Sequence, residues 1–257
     1  MVHPAYGLLR PVTDTASVLL CDNPGLMTLE GTNTWVLRGP GSDEMVVVDP
    51  GPDGEDGHIE RLASLGTIPL VLISHRHSDH TDGIDRIVDL TGAVVRSVGS
   101  GFLRGSGGPL TDGEVIDVAN VRITVMATPG HTADSVSFLL EDAVLTADTI
   151  LGRGTTVIDR EDGDLGEYLD TLRRLRGCGH RTLLPGHGPE LDDVAAVCET
   201  YLAHREQRLE QVRSALRELG EGADAREVVE HVYTDVDEKL WEAAEWSVQA
   251  QLDYLRR

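Results

Sequence analysis

The run His75-Arg76-His77-Ser78-Asp79-His80 gathers three imidazoles and a carboxylate within six residues, directly after the apolar stretch Ile68 to Ile73. Three more residues of the same kinds follow. They are His131 (after Thr128-Pro129-Gly130), Asp148 (after Ala143 to Ala147) and His187 (after Leu183-Leu184-Pro185-Gly186). Imidazole nitrogen and carboxylate oxygen are borderline-to-hard donors that suit divalent zinc, iron or manganese, and no cysteine stands among them. One His-x-His says little, because a lone histidine is more often a packing or surface residue. Four separate segments, each closing a strand-like apolar run with a ligand-type residue, point to metal chemistry.

Spacing sets what must hold these groups. Leu70 to Ile73 is too short for a core helix and rich in branched side chains, so it reads as a buried strand. Past its end, His75 and His77 are two apart and can project to one side. Asp82 to Leu90 has helical periodicity at Ile84, Ile87 and Val88, which puts Asp79 and His80 in the turn leading into a helix. Val121 to Thr128 alternates as a half-buried strand before His131. Ala143 to Ala147 and Arg181 to Leu184 read as strands before Asp148 and His187. Each ligand-type residue thus lies at a strand's C-terminal end, where α/β enzymes build sites on a rigid rim.

The ordered set His-x-His-x-Asp-His, lone His, Asp and final His resembles the metallo-β-lactamase superfamily, over roughly residues 28 to 190. The resemblance implies an α/β fold, a four-layer αββα sandwich. It implies a catalytic domain over 1–190 and a small C-terminal helical, winged-helix-like domain over 191–257. It further implies two divalent ions, zinc first and manganese or iron as alternatives. His75, His77 and His131 would hold one, Asp79, His80 and His187 the other, and Asp148 would bridge them. Asp79 is then also the expected catalytic group, orienting the activated water or taking its proton.

Three further segments narrow the resemblance to the β-lactamase-like protein 2 branch: Gly31-Thr32-Asn33-Thr34-Trp35, Thr149 to Thr156, and His204-Arg205-Glu206-Gln207-Arg208. That branch implies endoribonuclease-like hydrolysis of single-stranded RNA. Thioesterase and glyoxalase II-like relatives imply the alternative, hydrolysis of small thioesters or esters. Asn33, Thr34, His204 and Arg205 are the expected substrate contacts. One departure stands out: Ala147 replaces the Gly that commonly precedes the bridging Asp, tolerable if its φ is negative.

Charge cuts against polyanionic substrates. The chain carries 44 acidic and 22 basic residues, a net charge of -22, and Lys239 is its one lysine. Sequence-independent nucleic-acid affinity comes mostly from cations neutralising phosphates, so stable duplex binding is not expected. No stretch approaches the roughly 18 consecutive apolar residues of a membrane span. The first residues carry no basic patch followed by an apolar run, so no secretory signal is expected. Cys21, Cys178 and Cys198 are odd in number and far apart, which fits a reducing cytoplasm rather than a disulfide framework. β-Lactam hydrolysis and a non-hydrolytic redox or interaction role both fit this chain less well.

Composition shifts at Asp192. Val194 to Leu219 contains no Gly or Pro and reads as one long helix. Beyond Gly220-Glu221-Gly222, two more helices are expected near 223–233 and 237–255, with Trp241 and Trp246 on their buried faces. Gly99 to Gly108 lacks the Gly-Lys-Ser/Thr ending of a phosphate loop and reads as a flexible surface loop. Arg173-Arg174-Leu175-Arg176 reads as the solvated face of a helix.

Overall fold

The computed structural model describes residues 5–54, 57–232 and 241–257. Its contacts separate two compact units that interleave along the chain. The first comprises Met1–Thr128, Asp134–Gly154 and Arg181–Asp192; the second comprises Pro129–Ala133, Thr155–His180 and Asp193–Arg257.

The first unit holds two sheets. One has six strands in sequential order: β1 (Leu9–Pro11), β2 (Ala16–Leu20), β3 (Asn33–Leu37), β4 (Glu44–Val48), β5 (Thr67–Leu72) and β6 (Val94–Arg96). The first four pair antiparallel, whereas β4–β5 and β5–β6 are parallel. The other sheet is ordered β11-β10-β9-β8-β7. Its strands are β7 (Val115–Val118), β8 (Val121–Ala127), β9 (Val136–Leu139), β10 (Ala143–Ala147) and β11 (Thr182–Pro185). Only β10–β11 is parallel there.

The pleat sorts the apolar residues of the central strands. Trp35, Leu37, Val46, Val48, Leu70 and Leu72 pack with Ile123, Val125, Phe138 and Leu145 into a core shared by the two sheets. The intervening Val36, Met45, Val47 and Val71 face the other way, onto Ile59 and Leu62 of helix α1 (His58–Ala63) and Ile84 and Ile87 of α3 (Ile84–Thr91). Strands buried on both faces cannot alternate with polar residues, which is why β4 and β5 read as continuous apolar runs. Asp79 and His80 lie within a one-turn helix of their own, α2 (Ser78–Thr81), just before α3.

Two sequence expectations change. Ala147 has a φ of 44°, in the left-handed region, and the β10–β11 register shifts between Leu145 and Ala147. The bulge needs that turn to aim Asp148, so the residue is strained rather than neutral. The stretch from Gly99 to Gly108 is not a free loop. It contains a 3-10 turn (Ser100–Phe102), bridges back from Arg104 to Val95, and ties Arg104 to Asp85 at 2.6 Å.

In the second unit, α4 (Leu165–Arg176) exposes Arg173, Arg174 and Arg176 and buries Leu175. Helices α5 (Val194–Leu219), α6 (Ala225–Val232) and α7 (Trp241–Leu255) share a small core of Val212, Leu216, Val228, Val229, Val248 and Leu252. The rest of the expected last two helices, Tyr233 and 237–240, lies outside the described residues. Trp241 and Trp246 are half-buried, with the Arg226 and Arg160 guanidinium groups 4.6 and 5.4 Å from their ring centres. No helix among the described residues is long and apolar enough to cross a membrane.

Candidate metal centre

Parallel pairing is what gathers the site. It sets the carboxyl ends of β4 and β5 side by side, so Asp49 adjoins the His75–His80 run; it does the same for β10 and β11, with Asp148 and His187. Asn33 staples the two rims. Its main-chain N–H donates to Gly186 O at 2.8 Å, and its side-chain amide donates to Pro185 O and Gly188 O at 3.1 and 2.8 Å. Trp35 Nε1 adds a bond to Pro185 O at 3.0 Å. Gly186 passes beneath the carboxylate, where a Cβ would lie 2.4 Å from Asp148 Oδ1.

All seven ligand-type residues come together. His75, His77, His131 and Asp148 each offer one ligand atom, with the four atoms within 4.8 Å of one another; Asp79, His80 and His187 form a second such group. Asp148 faces both, with Oδ2 3.9 Å from His75 Nε2 and 3.3 Å from His187 Nε2.

Hydrogen bonds outside the centre decide which nitrogen of each ring faces inward. His187 Nδ1 lies 3.1 Å from Gly31 O and His131 Nδ1 2.7 Å from Val157 O. A carbonyl only accepts, so both Nδ1 atoms carry the proton and both Nε2 lone pairs point inward. His80 Nδ1 lies 3.0 Å from Asp49 Oδ2. Ser74 Oγ donates to the same oxygen at 2.6 Å and so accepts from His75 Nδ1 at 2.9 Å. His77 is turned the other way, with Nδ1 3.0 Å from His75 Nε2. Inward lone pairs backed by outward N–H bonds are what a bound cation requires, and the nitrogen and oxygen donors fit a divalent transition ion.

The electrostatics are those of tightly paired ions. Burial opposes ionisation of Asp148, but His187 and His80 hold its carboxyl well below the usual range. Burial likewise opposes the Asp79 carboxylate, and His80 and His187 overcome it. Conversely, burial pushes His80 down while Asp79, Asp148 and Asp49 raise it well above an ordinary histidine. His187, opposed by burial and supported chiefly by Asp148, is raised to about 9. A cation can use these nitrogens only once their protons leave, so uptake releases protons and strengthens with rising pH.

The four expected substrate contacts have partners inside the protein. Asn33 is 6% exposed and occupied as the staple. Thr34 is fully buried with Oγ1 2.9 Å from His58 Nε2. Arg205 is 4% exposed, donates to Thr156 O and stacks 4.9 Å above the Tyr168 ring. His204 is half-buried, with Nε2 facing Arg208 Nε at 3.4 Å. Asn33, Thr34 and Arg205 are thus engaged in bonds inside the protein, and His204 is half-buried. Asp49, Ser74 and Val157 escaped notice. Asp49 carried a readable signal, since Val46-Val47-Val48-Asp49 closes an apolar run with a carboxylate just as Asp148 does.

Comparisons agree with this geometry. The model of the metallo-beta-lactamase superfamily matches residues 27–187, and that of the beta-lactamase associated winged helix domain matches 225–257. A beta-lactamase-like protein 2 homolog of Caenorhabditis elegans is 32% identical over 242 residues, covering 88% of this chain and 79% of its own. Among solved structures, a metallo-beta-lactamase family protein of Thermus thermophilus superposes with a TM-score of 0.78 at 23% identity, covering 96% and 94% of the two chains. A beta-lactamase domain protein of Burkholderia ambifaria gives 0.82 at 20% identity, covering 99% and 89%. With its ligand order, its two sheets and these likenesses in accord, the chain belongs to the metallo-β-lactamase superfamily of hydrolases.

Proposed function

We propose that the protein is a dinuclear metal-dependent hydrolase of small esters or thioesters, with zinc as its ion. The observation that carries the reaction class is the convergence of seven ligand-type residues, among which His75, His80, His131 and His187 have the outward ring nitrogen held from outside. His75, His77 and His131 would hold one ion, Asp79, His80 and His187 the second, and Asp148 both. When bound, such ions polarise the substrate's carbonyl or phosphoryl oxygen and acidify water. Manganese or iron suits the same donors.

The chain's own groups supply orientation and proton transfer. The Asp79 side chain is 24% exposed, against 12% for Asp148 and 1% or less for His75, His80 and His187. It therefore faces arriving substrate more openly than those groups, and it accepts from Thr32 Oγ1 at 3.4 Å. This is the position from which a carboxylate orients a water or takes its proton.

Two observations favour an acyl substrate. A cavity of about 260 Å³ adjoins Gly188, beside His187, and the apolar side chains of Ala5, Leu8, Val18 and Leu20 line it together with Arg10 and Arg153. At least eleven of the 21 arginines are already paired with carboxylates, Arg10 and Arg153 among them, which halves the cations open to phosphates. Single-stranded RNA, implied by the resemblance, is the competing substrate. The zinc-loaded full chain is to be assayed on acyl-CoA and glutathione thioesters and on a single-stranded RNA oligonucleotide at several salt concentrations. Thioester turnover with little salt dependence is expected. RNA cleavage that falls steeply with salt, without thioester turnover, would overturn the substrate and leave the hydrolase; no hydrolysis of either would overturn both.

A further inference from the structure

Arg205 lies in the middle of α5 and is 4% exposed, yet no carboxylate among the described residues pairs with it. A buried guanidinium without a counter-ion is costly, and an apolar residue of similar size would commonly be more stabilising there. What the charge accomplishes is visible in its hydrogen bond to the main-chain carbonyl of Thr156. The next carbonyl, that of Val157, accepts from His131 Nδ1 at 2.7 Å, and Asp159 N returns a bond to His131 O at 2.9 Å. The segment from Thr156 to Asp159 therefore grips His131 by ring and backbone. Thr156 and Ile158 are buried at 3% and 2% exposure.

Tyr168 closes the arrangement from α4. It is fully buried, its ring lies beneath the guanidinium, and its hydroxyl reaches both Thr156 and Arg205. Its backbone packs so closely on Gly130 that a Cβ there would lie 2.3 Å from Tyr168 Cα. Thr171, one turn further along α4, donates to Pro129 O at 2.7 Å. The Pro129–Ala133 segment that carries His131 is thus held by α4 on one side and by the 156–159 segment on the other, with Arg205 behind the latter.

We infer that Arg205 is a positioning residue for the metal centre, holding the carbonyl segment that sets the tautomer and direction of His131. This rests on the reading of His131 as a metal ligand. It gives the His204-Arg205 motif a role other than touching substrate: it ties the long helix α5 to the segment that grips His131. Outer partners of metal ligands are commonly worth about 10- to 100-fold in affinity.

The test uses Arg205→Met, which keeps apolar length but no donor, and Arg205→Lys, which keeps a cationic donor. Two readouts are made on the full chain: zinc retained across a chelator series, and exchange of the His131 imidazole N–H by NMR, assigned from its absence in His131→Ala. Arg205→Met should lose one of two zinc ions at chelator levels about 10- to 100-fold below those needed for wild type. Its His131 N–H should exchange faster, and Arg205→Lys should recover most of both properties. Wild-type zinc retention and exchange in Arg205→Met would overturn the inference. If that variant does not fold, Tyr168→Phe decides: faster His131 N–H exchange supports the inference, and unchanged exchange overturns it. Unaltered zinc content in His131→Ala would instead defeat the ligand reading, while the exchange measurement would still judge the hold of Arg205 on the segment.

Discussion

His75 and His80 are aimed by side chains, whereas His131 and His187 are aimed by main-chain carbonyls. One carboxylate serves both members of the first pair: Asp49 accepts from His80 directly and from His75 through Ser74. The second pair leans on Val157 O and Gly31 O, which no substitution at those positions removes. The centre is therefore easy to break on one side and hard to break on the other. Asp49, 3% exposed and outside the ligand set, is where a single change reaches both metal groups.

The largest effect is expected outside this contrast, at Asp79, a proposed ligand. Asp79→Ala should lower turnover by about 10²- to 10⁴-fold, the usual worth of a positioned acid–base group, while circular dichroism shows the fold intact. Undiminished hydrolysis would contradict the two-metal reading. Next comes Asp49→Ala. It should weaken both ions, by about 10- to 100-fold each, in competition with a chromogenic chelator. Val157→Ala should leave metal retention unchanged. Equal losses in the two variants would erase the distinction between the two sides.

A buried side-chain bond also holds His58, whose ring meets Thr34. Burial lowers the His58 pKa from 6.5 to about 4. The unfolded chain then binds the proton first, so stability is full above pH 6.5 and is lost as pH falls towards 4. Between about pH 7.5 and pH 5 this group should cost about 2 kcal/mol, from about 1.4 kcal/mol per pKa unit. His58→Gln, which can keep the bond to Thr34, should flatten that part of the pH profile in urea titrations. An unchanged slope would place the acid sensitivity elsewhere. The smallest effect belongs to Ala147→Gly. Relief of left-handed strain, roughly 1–2 kcal/mol, is partly offset by the extra freedom of Gly in the unfolded chain. A net gain of up to about 1 kcal/mol is expected by thermal unfolding, with metal content unchanged.

The elements and the ligand types were legible because each is written locally. β10 and α5 fall on the stretches that periodicity marks, Ala143–Ala147 and Val194–Leu219. The ligand residues announce themselves by following such runs. What stayed hidden depends on partners distant in sequence. Asn33 as a staple requires β11, which lies 152 residues away at Pro185. Arg205 as an internal cation requires Thr156, 49 residues away. Nothing local distinguishes an Asn or Arg bound for such a carbonyl from one bound for substrate. The sign of φ at Ala147 was likewise invisible, because it follows from a register shift between two strands.

The chain order of the donors bears on when metal can be taken up during synthesis. Asp79 and His80 leave the ribosome long before His187, which lies 107 residues beyond His80 and is placed only when β11 aligns beside β10. Until then the second group has two of its three donors, while the first already has all of its own once Asp148 has emerged. His131 of the first group is set in turn by the Thr156–Asp159 segment and by Arg205, which emerges after His187. Neither ion should therefore be held at full strength before β11 and α5 are in place, so that full loading marks a completed fold.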